Sequence, residues 1–183
     1  MDRKKILTTS ISTLLILLIF FGARYIRKCY LSNEQCTLKT LRDLYGAGAE
    51  KAAEIKDRDY IITLYADMDS RTIYTITTKK AGFLYYTDFA MVYSNLPDED
   101  PFYVLSDYSS DGMTMEIFIY RNNPSITKME ACFDDGTKYT FKEWDTDFIG
   151  FSHAADGWVR ADYTGYDCEG NIIWTHQLIR SFD

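Results

Sequence analysis

From Tyr60 onward, apolar and polar residues alternate in short segments that are separated by turn residues. Ten segments are rich in Tyr, Thr, Ile and Phe and contain no Pro, which is typical of β-strands. Asp-Gly pairs among the connections favour tight turns, because glycine tolerates positive φ angles. The pattern predicts a mainly β fold of antiparallel sheets packed as a sandwich. The ten segments are 60–66, 72–78, 83–89, 102–106, 114–120, 126–133, 137–143, 147–152, 159–167 and 172–178.

The predicted β domain covers residues 58–183 and divides into two halves. The first, residues 59–93, reads as a three-stranded antiparallel meander. The second, residues 114–180, reads as a sandwich-type module with more strands. The stretch between them contains Pro97 and Pro101 and is more typical of a connector, although it includes one predicted strand.

A juxtamembrane helical segment is predicted ahead of the β domain, at residues 29–57. Ser32 followed by Gln35 matches a capping box, which marks a helix amino terminus. Apolar residues then recur at spacings of three and four as far as Ile55. We expect two helices, about 33–45 and 48–56, separated near the glycines. The spacing fits a dimerising stalk or a helix packed on its own domain. The two glycines weaken both arrangements, and we expect packing on the domain.

Residues 1–28 contain the longest apolar stretch of the chain. Charged residues are absent from Ile6 to Phe21, and a helix continuing to Ile26 is about 30 Å long, which matches a bilayer core. A cleaved signal peptide is the alternative. Its best cleavage site, after Phe21-Gly22-Ala23, has a bulky residue where a small one is needed. We therefore expect an uncleaved transmembrane helix from Ile6 to Ile26.

Charge is divided unevenly along the chain. Residues 1–28 hold six of the 20 Lys and Arg residues but only one of the 27 acidic residues, so the rest carries a net charge of −12. An acidic domain repels phosphate backbones, which excludes nucleic acid as a partner. Basic residues flank the apolar stretch on both sides, so the positive-inside rule is nearly balanced. A short tail before a large acidic domain favours a cytoplasmic amino terminus and a head outside the plasma membrane.

Residues with catalytic or metal-binding chemistry are sparse. The chain has two histidines and four cysteines, with no C-x-x-C and no G-x-S-x-G motif. We therefore predict no catalytic, cofactor-binding or metal-binding residues. Cys132 and Cys168 each end a predicted strand and are the candidate disulfide pair, while two small buried thiols are the alternative.

Aromatic residues are the remaining candidates for recognition, at 16% of the chain. Tyr85, Tyr86, Trp158 and Trp174 form a possible contact surface for a protein or glycan. The alternative is that these rings pack within the sheets.

The order of these features resembles a group of uncharacterised membrane-anchored or secreted proteins of Gram-positive bacteria. The stretches that carry the resemblance are "IITLYADMDSRTIYTITTKKAGFLYYTDF", "NNPSITKMEACFDDG" and "DCEGNIIW". Phe83 and Met129 depart from the usual Trp and Val. The resemblance implies a membrane anchor and a closing immunoglobulin-like β module, and it implies no activity.

The expected function is that of a single-pass membrane protein with an extracytoplasmic, non-catalytic binding module. Its partners would be membrane lipid and an envelope protein or glycan. The alternatives are a structural or regulatory subunit of a membrane complex, and a cell-envelope hydrolase.

Overall fold

A computed structural model describes residues 29–46, 48–94, 101–108, 114–142, 144, 147–154 and 158–180, together with Gly22. These residues form one helix and eleven strands. The helix is α1 (Asn33–Tyr45), and the strands are β1 (Glu50–Asp57), β2 (Tyr60–Asp67), β3 (Thr72–Ala81), β4 (Leu84–Tyr93), β5 (Phe102–Tyr108), β6 (Thr114–Arg121), β7 (Lys128–Phe133), β8 (Lys138–Phe141), β9 (Phe148–Ala154), β10 (Val159–Tyr166) and β11 (Ile172–Arg180). All ten predicted strands form, and the predicted mainly β fold is confirmed.

The strands build three antiparallel sheets. The first sheet has the order β1-β2-β3-β4, the second β5-β6-β9 and the third β11-β10-β7-β8. The first sheet is therefore a four-stranded meander, one strand more than predicted. The stretch predicted as a connector contributes β5 to the second sheet, where β5 pairs with β6.

The second sheet lies between the other two, and its central strand β6 is buried on both faces. Met115, Ile117 and Ile119 pack against the third sheet in the larger apolar cluster. Phe118 points the other way and packs with residues of the first sheet. Successive side chains of a strand point to opposite faces, so a strand covered on both sides loses its polar alternation.

Helix α1 packs on the outer face of the first sheet, as the sequence favoured. Ser32 caps it by accepting a hydrogen bond from the amide of Gln35 at 3.2 Å. The helix ends at Gly46, whose φ of 63° suits the left-handed conformation that terminates helices. The Thr37 and Tyr65 hydroxyls are hydrogen-bonded at 2.7 Å, which joins the buried face of the helix to β2.

The prediction of a second helix at about 48–56 is wrong, because these residues form most of β1, which pairs with β2. The predicted boundary between residues 57 and 58 therefore falls inside a β-hairpin. Ala, Glu and Lys favour a helix locally. Ala53 and Ile55, however, are two residues apart, which is the spacing of one face of a strand, and both pack against the core between the first two sheets. Tertiary burial outweighs a helix propensity of a few tenths of a kcal/mol per residue.

The predicted transmembrane segment, Ile6 to Ile26, lies outside the described residues except for Gly22. Among the residues that are described, none of the helical structure is long and apolar enough to span a bilayer. The chain just after this segment is held against β4, because Tyr30 and Tyr85 exchange two backbone hydrogen bonds, at 2.7 and 2.8 Å.

Candidate binding surface

The four aromatic residues predicted as a contact surface lie in separate places. Tyr85 and Tyr86 are half-buried on β4 of the first sheet, whereas Trp158 and Trp174 belong to the third sheet. Trp158 precedes Val159, which pairs with Arg180, while Trp174 pairs with Gly165. Six residues of strand, about 20 Å, separate these two pairs. The structure therefore does not join the four rings in one surface.

Strand β11 is the edge of the third sheet and the most exposed long strand of the described fold. Of its nine residues, only Leu178 is buried and only Trp174 is half-buried. Three exposed isoleucines, Ile172, Ile173 and Ile179, lie along it. Residues 172–179 carry no formal charge, and the strand contains no Pro. An exposed, uncharged edge strand presents unpaired backbone groups to another chain.

Other edge strands of the fold are protected in ways that β11 is not. Strand β1 has five charged residues among its eight, which discourages pairing. The backbone of Tyr30 forms an isolated antiparallel bridge with Tyr85 of β4. Strand β8 has only four residues. Strand β11 has one charged residue, Arg180, at its end. Strands β5 and β9, the edges of the second sheet, have side chains that are mostly buried or half-buried. Strand β11 is therefore the exposed edge best suited to accept a further strand.

The inner row of β11 holds the strand in place. The Trp174 ring packs 4.9 Å from the Phe102 ring of β5, measured between centroids. The His176 ring lies nearly parallel to that of Trp174, with 5.6 Å between their centroids. Arg180 donates a 3.4 Å hydrogen bond to the Ser106 hydroxyl of β5. These contacts fix the strand before any partner arrives, which reduces the entropy lost on binding.

A buried hydroxyl without a hydrogen-bond partner lies on the neighbouring strand, β10. Tyr163 of β10 pairs with His176, and its side chain is 1% exposed. Among the described residues its hydroxyl has no hydrogen-bond partner. Burial raises the pKa of this phenol, so it stays neutral. An unsatisfied buried hydroxyl destabilises the folded state.

Replacing Tyr163 by Phe should therefore raise the free energy of unfolding, by about 1–2 kcal/mol. The matched control is Tyr166→Phe on the same strand, whose hydroxyl donates a 3.0 Å hydrogen bond to Glu130. That change should lower the free energy of unfolding by about 1 kcal/mol. Urea unfolding of both variants measures the two effects, and equal signs would contradict the assignment of Tyr163 as unsatisfied.

His153 is the histidine nearest to a carboxylate, and its surroundings are those of a packed ring. It is 4% exposed and stacks on Phe133 with 3.6 Å between ring centroids. Its Nε2 atom lies 3.6 Å from Asp135 Oδ2. Burial lowers the pKa of His153 in spite of that carboxylate, so the ring is neutral at pH 7. Among the described residues, no three or more His, Cys, Asp and Glu side chains gather into a metal site.

The outer face of the third sheet contains an ion-pair network. The carboxylate of Glu130 lies 2.8 Å from Lys128 Nζ and 2.9 Å from Lys138 Nζ. These two lysines and the Tyr166 hydroxyl lower the pKa of Glu130 to about 2. The carboxylate is therefore ionised near neutral pH, and its oxygens are occupied by the two lysines and the Tyr166 hydroxyl. A carboxylate in this state stabilises the sheet and has no proton to donate.

The predicted Cys132–Cys168 disulfide does not form: both residues are free, exposed thiols. Cys132 lies opposite Asp162, and Cys168 lies two residues beyond Tyr166, which pairs with Lys128. The four residue steps from Asp162 to Tyr166 alone span about 13 Å, whereas a disulfide needs Cα atoms within about 7 Å.

The sequence analysis missed β11 as a surface because it searched for aromatic residues. The signal that could have found it is "IIWTHQLI", a final strand with apolar residues in both alternating rows and no charge. Such a strand is either covered on both faces or left as an unprotected edge. A comparison of the chain with protein-family models, characterised proteins and solved structures gives no match.

Proposed function

We propose that this chain is a single-pass membrane-anchored protein whose β head lies outside the cytoplasm and acts as a non-catalytic binding module. The module binds an extended segment of another envelope protein, which adds a strand to β11. The observation that carries the proposal is the exposed edge of β11, which is uncharged over residues 172–179 and is held in place by the contact of its Trp174 ring with Phe102. Backbone hydrogen bonds would supply affinity, and the exposed isoleucines would supply apolar contacts.

The tether is supported by the position of Tyr30. An apolar stretch of membrane-spanning length ends at about Ile26, and Tyr30 is fixed to β4 four residues later. Four residues extend at most about 14 Å, so the head would be held close to the bilayer. This distance limits the partners to molecules at the membrane or in the adjacent envelope.

The strand order supports an immunoglobulin-like module within the head. If β5 to β11 are named A to G, the second sheet has the order A-B-E and the third has G-F-C-D. Immunoglobulin constant domains have A-B-E-D and C-F-G, so the two arrangements differ in the sheet that holds the fourth strand. In this scheme β11 is strand G, an edge of its sheet in both arrangements.

The net charge supports a basic partner. The chain beyond residue 28 has a net charge of −12, while β11 itself lacks acidic residues. Long-range attraction would bring a positively charged segment to the head, and the neutral edge would then pair without burying a charge.

The test is site-specific photo-crosslinking of the full chain in living cells. Benzophenone side chains are placed in turn at Ile173, Thr175, Gln177 and Ile179, which are exposed and occupy alternate positions of β11. Strand addition predicts a protein adduct in which the crosslinked partner residue shifts by two for each two-residue shift of the probe. A reporter fused after Asp183 checks that the head lies outside.

The blocking variant is Ile173→Lys with Ile179→Lys, since lysine on an edge prevents pairing. The control is Phe89→Lys with Val92→Lys on β4, two residues of similar exposure, 52% and 48%. We expect the first pair to reduce the adduct at least tenfold and the second to leave it unchanged. Adducts only with a second copy of this chain, adducts without a regular shift, or a reporter active only inside would each contradict the proposal.

A further inference from the structure

The turn between β3 and β4 presents the most exposed large apolar side chain of the described residues. Phe83 is 75% exposed. Ala81 pairs with Leu84, so Gly82 and Phe83 form a two-residue connection. Gly82 has a φ of 63°, a conformation that glycine adopts without strain, and this turn holds Phe83 at the tip of the hairpin. A phenylalanine at such a tip gains nothing from the core of its own domain.

Two lysines immediately precede this tip, and each lies against an aromatic ring. The Lys79 ammonium is 4.8 Å from the centre of the Tyr60 ring and donates a 3.0 Å hydrogen bond to its hydroxyl. The Lys80 ammonium is 5.9 Å from the centre of the Tyr85 ring. The neighbouring turn, 56–59, has two basic and two acidic residues, so it adds no net charge. Asp88 of β4 lies close enough to interact with Lys79, so this end of the first sheet keeps a small positive charge on a strongly acidic head.

The same end of the sheet receives the chain that leaves the apolar segment. Tyr30 is hydrogen-bonded to Tyr85, two residues from Phe83. Leu31, which follows, is 72% exposed. The four residues from Ile26 to Tyr30 reach at most about 14 Å, and the two from Tyr85 to Phe83 add about 7 Å. The paired segments of Tyr30 and Tyr85 are themselves about 5 Å apart, so the tip lies within about 26 Å of the end of the apolar stretch.

We propose that the Phe83 hairpin is a membrane-contact element: Phe83 and Leu31 enter the interface of the bilayer, and Lys79 and Lys80 bind anionic lipid headgroups. Aromatic rings are favoured at the bilayer interface, and lysines are attracted to anionic surfaces. This inference rests on the proposed membrane anchor and adds the orientation of the head, with the first sheet end-on to the bilayer. The opposite end, at the turn between β2 and β3, has Asp67 and Asp69 and would face away.

The experiment uses the full chain in liposomes of phosphatidylcholine with anionic phosphatidylglycerol. Benzophenone replaces Phe83 in one variant and Met68 in another. Met68 is 42% exposed at the opposite end of β3, whose ten residues span about 33 Å. After illumination, mass spectrometry identifies peptides that carry one lipid. We expect lipid adducts at position 83, and at least tenfold fewer at position 68.

A second comparison tests the lysines. Lys79→Glu with Lys80→Glu, or liposomes of phosphatidylcholine alone, should reduce the adduct at position 83 by about fivefold or more, since each lysine near an anionic surface is worth about fivefold in binding. The control is Lys142→Glu with Arg160→Glu, two exposed basic residues at the third sheet, which should leave the adduct unchanged. Equal losses in both variants would contradict a role for Lys79 and Lys80.

Flotation of the liposomes separates the two possible failures. A chain that does not float with lipid would overturn the anchor and this inference together. A chain that floats but gives no lipid adduct at position 83, or only adducts with protein, would overturn the membrane-contact element and leave the anchor standing.

Discussion

Replacing Phe118 by Ala should lower the free energy of unfolding by about 3–5 kcal/mol, a large part of the 5–15 kcal/mol of a typical domain. Phe118 lies on β6 and is 4% exposed. It packs with Ile62, Leu64 and Ile73 of the first sheet, so its removal leaves a cavity between two sheets. Urea unfolding of the full chain in mild detergent, followed by tryptophan fluorescence, measures the loss.

The matched control for this variant is Phe89→Ala, because Phe89 is also on a strand but is 52% exposed. That change should cost less than about 1 kcal/mol. A loss of the same size at both positions would contradict the burial of β6 between two sheets. A small loss at Phe118 would mean that the first sheet does not pack on the second.

Replacing Gly150 by Ala should lower the free energy of unfolding by about 1–3 kcal/mol through overpacking. An added Cβ would lie 2.9 Å from Ile55 Cγ1 and 2.9 Å from the Phe118 ring. Gly150 of β9 thus lies at a point where β1 of the first sheet approaches the second sheet closely. Removing a glycine also reduces the entropy of the unfolded chain, but that gain is only about 0.4–1 kcal/mol.

The control for this prediction is Gly48→Ala, where an added Cβ would have no atom within 4 Å. We expect that variant to be unchanged or slightly more stable. The double variant Gly150→Ala with Phe118→Ala should lose less than the sum of the two single losses, because the ring that the new methyl group meets is gone. Additive losses would show that Phe118 is not the group that Gly150 accommodates.

The candidate surfaces were harder to predict from the sequence than the strands. Tyr85, Tyr86, Trp158 and Trp174 are correctly placed on or beside strands, but nothing local determines that they lie in two different sheets. The expected Cys132–Cys168 pair failed for the same reason, because the register of β7 against β10 sets their separation. Strand β11 became a candidate only when the sheet order placed it at an edge.

The sequence by itself determined the ten strands from Tyr60 onward and helix α1, since alternation, turn residues and the Ser32 cap act over a few neighbouring residues. Only the tertiary structure decided that residues 50–57 are a strand, that β6 is covered on both faces, and that β11 and Phe83 remain exposed. Burial depends on contacts between residues far apart in the chain, and local periodicity reports which face a side chain occupies but not what covers that face.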